Sequence, residues 1–269
     1  MNLTGERPME GSTPDSLIAL HDAGYREVLA RLGTGRVLDV GCGTGIETSR
    51  LDGPGRDVMG IDYHAETAVL AGKIYGPGGA RGTDIRFAAM DGAELGFRTG
   101  SFDWVCSSHI IEHFTGPEQH VADLARVSKD DGTTFVITPN RPADFENPFH
   151  VYLFEADELA SMLKLFFHDV QVLGLEGDAE LKADFASRRE TGDKLLKLDV
   201  LNLRQRMPRS WYVWSYERLL PAVYKVLGTE KSGVGSGLDH THFSMSEVVL
   251  PTTPVLFAIA RRPRRFPER

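Results

Sequence analysis

The run Val37-Leu38-Asp39-Val40-Gly41-Cys42-Gly43-Thr44-Gly45 restricts this chain more than any other stretch. Apolar and β-branched residues fill a short segment and give way to three glycines at alternate positions. That is the pattern of a buried parallel strand turning tightly into a helix, expected here over residues 44–51. Such a turn adopts dihedrals that a Cβ disfavours and leaves backbone N–H groups bare for a ligand at the carboxyl edge of a sheet. The expected occupant is nucleoside-like. In a dinucleotide fingerprint the third glycine would fall at position 46, which is Ile46, so the spacing does not fit a pyrophosphate cradle.

The chain then repeats a strand-helix rhythm. Residues 57–62 read as a second strand ending in Asp62, whose two carboxylate oxygens suit the two ribose hydroxyls of a nucleoside. A helix over 65–75, strands over 85–89 and 101–108, a helix over 117–128, a strand over 133–137, a helix over 155–165 and a strand over 170–175 follow. The apolar run 254–260 closes the series as a strand suited to insertion between two others. Repeats at this interval imply a parallel sheet with helices on both faces. At the amino end, residues 1–14 are expected to be poorly ordered, and a helix over 15–32 takes Asp15 as its cap.

Read together, Gly41, Gly43 and Gly45 after Asp39, then Asp62, Asp91-Gly92, and Glu112-His113-Phe114 after a Phe102-Asp103-x-Val105 strand resemble the class I S-adenosylmethionine (SAM) dependent methyltransferases of the type 11 kind. The resemblance implies a Rossmann-like, doubly wound, mostly parallel α/β sheet of seven strands with an antiparallel last strand, in a single domain over 1–269. Residues 176–253 would form a helical insertion between the sixth and seventh strands. It further implies SAM as cofactor, S-adenosylhomocysteine (SAH) as product, and cofactor contacts from Asp39, Gly41, Gly43, Gly45, Asp62, Tyr63, Asp91, Gly92 and Ser107. In the family Asp91 would accept from the adenine amine, with the Gly92 N–H meeting a ring nitrogen. The flanking motifs Leu3-Thr4-Gly5-Glu6-Arg7, Thr138-Pro139-Asn140-Arg141 and Asn147-Pro148-Phe149-His150 resemble actinobacterial sugar O-methyltransferases.

An alcohol acceptor must lose a proton as the new bond forms, and histidine is a suitable base near neutrality. His150, in the long polar loop 141–152 after the fifth strand, is the expected general base. Glu112 would orient a histidine or the acceptor hydroxyl, and His109 is a further catalytic candidate. His113 reads as either packing or function, whereas His21, His64, His120 and His168 read as surface or helix residues. Asp239-His240-Thr241-His242 alone carries metal-like spacing, and without a third ligand the expectation is no metal. N- or C-methylation of a small molecule and a non-catalytic binding subunit are the competing readings.

A net charge of −8 argues against nucleic acid as partner, and no apolar run approaches the roughly eighteen residues of a membrane span. The two cysteines, Cys42 and Cys106, suit a reducing cytoplasm as thiols. The expected partner is a small-molecule acceptor. The aromatic segment around Trp211, Tyr212, Trp214 and Tyr216 suits either a substrate lid or the face of a homodimer.

Overall fold

The computed structural model describes residues 13–144, 150–196 and 235–265. The motif Leu3–Arg7, the residues 147–149 before His150 and the aromatic segment of the insertion lie outside them.

Eight strands form one sheet in the order β3-β2-β1-β4-β5-β8-β6-β7. They are β1 (Gly35–Val40), β2 (Arg56–Asp62), β3 (Arg86–Ala89), β4 (Phe102–Ser108), β5 (Ser128–Pro139), β6 (Phe167–Gly177), β7 (Phe243–Ser246) and β8 (Val255–Pro263). The first five pair in parallel, and β8 inserts antiparallel between β5 and β6. The helices are α1 (Asp15–Leu29), α2 (Ala65–Tyr75), α3 (Pro117–Val127), α4 (Ala156–Lys164) and α5 (Ala179–Leu196).

Alternation along the strands supplies two cores. Leu38, Val40 and Val105 point to the face covered by Val121 and Leu124 of α3 and Leu159 and Leu163 of α4. Val37, Cys106, Phe135, Ile137 and Phe257 point to the other face, under Leu20 and Val28 of α1. With both faces covered, the central strands must be apolar on both sides, which is why they read as continuous apolar runs. The first parallel strands end at one edge, where Asp39, Asp62 and Ser108 stand near the chain turns.

Three local expectations are corrected. The sheet has an eighth strand, β7, within the stretch expected as a helical insertion, and it pairs antiparallel with β6. Its four residues Phe243-Ser244-Met245-Ser246 alternate apolar and polar, with Phe243 and Met245 on the α1 core, but the run is too short to stand out as a strand. No helix follows β1: Gly41, Gly43 and Gly45 sit at φ 81°, 53° and 83°, off the helical path, and only a 3-10 turn (Thr48–Leu51) forms. Asp15 does not cap α1, whose N-cap is Pro14; its carboxylate accepts from the N–H groups of Gly235 (3.2 Å) and Gly237 (2.9 Å) and ties the returning chain to the helix start.

Candidate active site

The glycine turn is braced from behind. Asp39 is fully buried in β1, accepting from Tyr25 Oη (3.0 Å) and Thr48 Oγ1 (2.6 Å). Burial pushes its carboxyl up to about 6, against the pull of the Thr48 and Tyr25 hydroxyls. Asp39, expected among the cofactor contacts, thus lies behind the turn, inside the protein. In front, Asp62 ends β2 with Oδ2 accepting from the Gly43 N–H (3.1 Å) and Oδ1 from the His64 N–H (2.9 Å), so the acid faces the turn.

The three glycines serve different ends. A Cβ built on Gly43 would meet nothing within 4 Å, which leaves the space a cofactor needs. On Gly45 it would stand 3.0 Å from the Phe87 ring, so that glycine answers to packing. On Gly41 it would fall 2.0 Å from Ile110 Cδ1, because the chain leaving β4 folds back over the turn. His109 makes that reversal at φ 55°, a left-handed conformation uncommon for a non-glycine residue. Tyr63 is largely exposed beside Asp62, and Asp91 is exposed at the end of β3 with Oδ1 accepting from the Ala93 N–H (2.9 Å).

Ser107, expected among the cofactor contacts, is fully buried and bonded to His120 Nε2 at 2.9 Å. His120, expected as a surface or helix residue, lies on α3 and is fully buried too, and its Nδ1 is 2.8 Å from the Gly92 carbonyl. A carbonyl only accepts, so Nδ1 carries the proton and Nε2 accepts from Ser107. The pair pins Gly92 in place beneath the exposed Asp91. Position 120 falls on the apolar stripe of α3 with Val121, Leu124 and Val127, a helical spacing that could have revealed its burial.

Burial pushes His120 down to about 4, whereas in the unfolded chain it titrates near 6.5. Between those values the unfolded state binds a proton the folded state excludes, so His120 withdraws stability as pH falls from about 6.5 to 4. Replacing it by Gln should flatten the acid slope of the unfolding free energy by up to about 1.4 kcal/mol per pH unit across that window. Denaturant titrations at pH 7, 6, 5 and about 4.5 measure it. An unchanged slope would show that His120 does not set it.

At the other end of the crevice, Glu112 follows β4 in the 3-10 turn Ile111–His113, completely buried. Its Oε2 accepts from Thr138 Oγ1 (3.0 Å), and its carbonyl accepts from the N–H groups of Val151 (2.7 Å) and Tyr152 (3.1 Å). Burial alone would raise its carboxyl, but the neighbouring His109, His113 and His150 rings hold it at about 2. His109 packs against His21 with centroids 4.5 Å apart and the rings tilted by 54°, and its Nδ1 stands 3.4 Å from Glu112 Oε1. His21 is pushed down to about 3, first by burial and then by His109.

Ser108 Oγ, His109 Nε2 and Glu112 Oε1 are buried without hydrogen-bond partners in the protein. Orphaned polar atoms gathered at one strand end mark where an outside polar group fits. His150 reaches this cluster: its ring lies 5.6 Å from that of His113, and its Nδ1 is 2.9 Å from Asp144 Oδ2. Sequence reasoning missed Asp144 and also Arg189 of α5, which donates to the carbonyls of Pro142 (3.0 Å) and Asp144 (3.1 Å) and so holds the loop.

The pair expected in Asp239-His240-Thr241-His242 is divided. His240 Nδ1 faces Asp22 (3.1 Å) and His242 Nδ1 faces Asp178 (2.8 Å).

Residues 38–136 match the family described as "Methyltransferase domain". A probable S-adenosylmethionine-dependent methyltransferase of Mycolicibacterium smegmatis is 31% identical over 192 residues, covering 67% of this chain and 72% of the relative. The chain belongs to the class I SAM-dependent methyltransferases. A ubiquinone biosynthesis O-methyltransferase of Bordetella avium is 33% identical over 117 residues, 43% of this chain and 47% of that protein. Among solved structures, a SAM-dependent methyltransferase from Thermotoga maritima, titled a possible histamine N-methyltransferase, superposes with a TM-score of 0.56 at 14% identity, covering 92% of this chain and 91% of its own. That last likeness speaks for the fold alone. As a class I methyltransferase the protein is an enzyme and takes SAM as its cofactor. The open face of Gly43, the acid at the tip of β2 and the exposed acid after β3 fit a nucleoside laid across those strand ends. Among the described residues no helix is long and apolar enough to cross a membrane.

Proposed function

We propose that this methyltransferase acts on a hydroxyl of a small molecule, a sugar, glycolipid or secondary metabolite, with His150 as general base. The observation that carries the reading is the Asp144–His150 pair at 2.9 Å, set beside Glu112 and the orphaned atoms after β4. Bound SAM supplies a methyl group already electrophilic on sulfur. The chain's own residues must then hold the acceptor and take its proton. With Nδ1–H donating to Asp144, the basic nitrogen of His150 is Nε2, and the Asp144 carboxylate stabilises the imidazolium that forms. His109 and Glu112 orient the acceptor through His109 Nε2 and Glu112 Oε1.

On the cofactor side we assign Asp62 to the ribose, Gly43 to the bare backbone under the methionine end, Asp91 and the Gly92 N–H to adenine, and Tyr63 to its outer face. The O-methyltransferase name of the Bordetella relative supports oxygen as acceptor, and the two buried free thiols suit a cytoplasmic protein. Incubating the purified chain with labelled SAM and a small-molecule extract should yield a labelled product about fourteen mass units heavier than a consumed alcohol, the mass of one CH2 gained as methyl replaces hydrogen. A labelled product whose methyl sits on nitrogen or carbon would overturn the hydroxyl reading.

A further inference from the structure

We propose that Glu112, His113 and His150 form a divalent-cation site at the acceptor end of the crevice, taking a first-row ion of the zinc or manganese class. A Glu112 carboxylate oxygen and one ring nitrogen of each histidine lie within 4.8 Å of one another. Ligands bound to a tetrahedral ion at about 2.0–2.2 Å stand about 3.4 Å apart, so the cluster is about 1 Å per ligand from closing on one.

Glu112 supplies the independent sign. Its side chain is fully buried, Oε2 is engaged by Thr138, and Oε1 has no hydrogen bond from the protein, the nearest histidine nitrogen, His109 Nδ1, standing off at 3.4 Å. A buried carboxylate oxygen is expensive unless a donor or a cation meets it. The supports behind the cluster are those a metal ligand needs. Asp144 accepts from His150 Nδ1 with both side chains mostly buried, which fixes the tautomer and assigns Nε2 to the ion. The Val151 and Tyr152 N–H groups lock the segment after His150 onto the Glu112 carbonyl, and Arg189 holds the carbonyl of Asp144 from α5. Two imidazoles and one carboxylate leave coordination positions open and suit zinc or manganese better than magnesium, which prefers oxygen ligands.

For what the ion does, the inference rests on the hydroxyl reading above; for its binding it does not. An acceptor oxygen in an open position becomes more acidic. Its O–H bond ionises to solvent, the oxygen attacks the methyl carbon as the S–CH3 bond breaks, and SAH leaves neutral at sulfur. Loaded in this way, His150 holds the ion instead of taking the proton itself.

The test titrates the EDTA-dialysed full-length chain with CoCl2 alone, by calorimetry and by visible d–d absorption. The expected result is one Co2+ per chain, with affinity reduced more than about tenfold in Glu112→Gln and in His113→Ala and retained in the double variant His240→Ala/His242→Ala. A rise in melting temperature with SAH in each variant shows that it is folded. Absence of Co2+ binding, or binding that Glu112→Gln and His113→Ala leave intact, overturns the site. An EDTA-treated chain that methylates an alcohol at full rate overturns the ion's role and upholds the hydroxyl reading. Co2+ bound through these residues by a chain that methylates only nitrogen or carbon upholds the site and removes that reading.

Discussion

Replacing Asp62 by Ala abolishes the rise in melting temperature that SAH gives the wild-type chain. A ligand at about 100 times its dissociation constant stabilises the folded state by about 2.7 kcal/mol. For a chain of 269 residues, with an unfolding entropy of roughly 2.1 cal/mol/K per residue, that corresponds to a shift of about 5 °C. The carboxylate has two duties, because it faces the crevice and also accepts from the Gly43 and His64 N–H groups. Ala therefore lowers the melting temperature without ligand as well, by the cost of unmade hydrogen bonds at a largely buried position, about 1–3 kcal/mol. Asp62→Asn separates the duties in part: its one amide oxygen keeps one of the two backbone bonds while its NH2 meets the other donor, and the charge and half of the pairing to two hydroxyls are lost. We expect a melting temperature without SAH between those of the wild type and the Ala variant, and an SAH-induced shift reduced by more than half. A full shift in the Ala variant would remove Asp62 from the cofactor site.

What could be read ahead of the structure follows how local each signal is. The glycine run, the acids at strand tips and the strand-helix rhythm are written in consecutive residues, and they placed β1 to β4, β6 and β8 to within about three residues, while β5 begins five residues ahead of its expected start. Facts that depend on which way a side chain turns were out of reach. Asp39 and Asp62 both end or nearly end strands, yet one faces Tyr25 and Thr48 and the other the turn. Gly45 and Gly43 look alike in the sequence, yet only the distant Phe87 makes the first a packing glycine. The burial of His120 was hidden by residue type: read as a surface or helix residue, it does lie on α3, and only its place on the apolar stripe and the partners Ser107 and Gly92 show which way it faces. Of the acceptor end, Glu112 and His150 were legible as motif residues, while Asp144 and Arg189 acquire meaning only once α5 packs beside the loop.

Replacing His150 by Ala should lower kcat for a hydroxyl acceptor by about two to four powers of ten, the usual contribution of a positioned base, and leave the SAH-induced shift in melting temperature unchanged. That split is the diagnostic part, because a merely structural histidine at the crevice would move cofactor binding and turnover together. Asp144→Asn should give a smaller loss in kcat, since the amide still accepts from Nδ1–H but cannot neutralise the imidazolium. The base and the ion make opposite demands on chelator. If His150 takes the proton directly, EDTA leaves the wild-type rate intact and the Ala variant stays slow. If His150 holds a cation, EDTA brings the wild type down to the rate of the variant, and added Zn2+ or Mn2+ restores the wild type alone. Unchanged turnover of a hydroxyl acceptor by His150→Ala, with or without metal, would exclude both roles and leave the ring as a brace between Asp144 and His113.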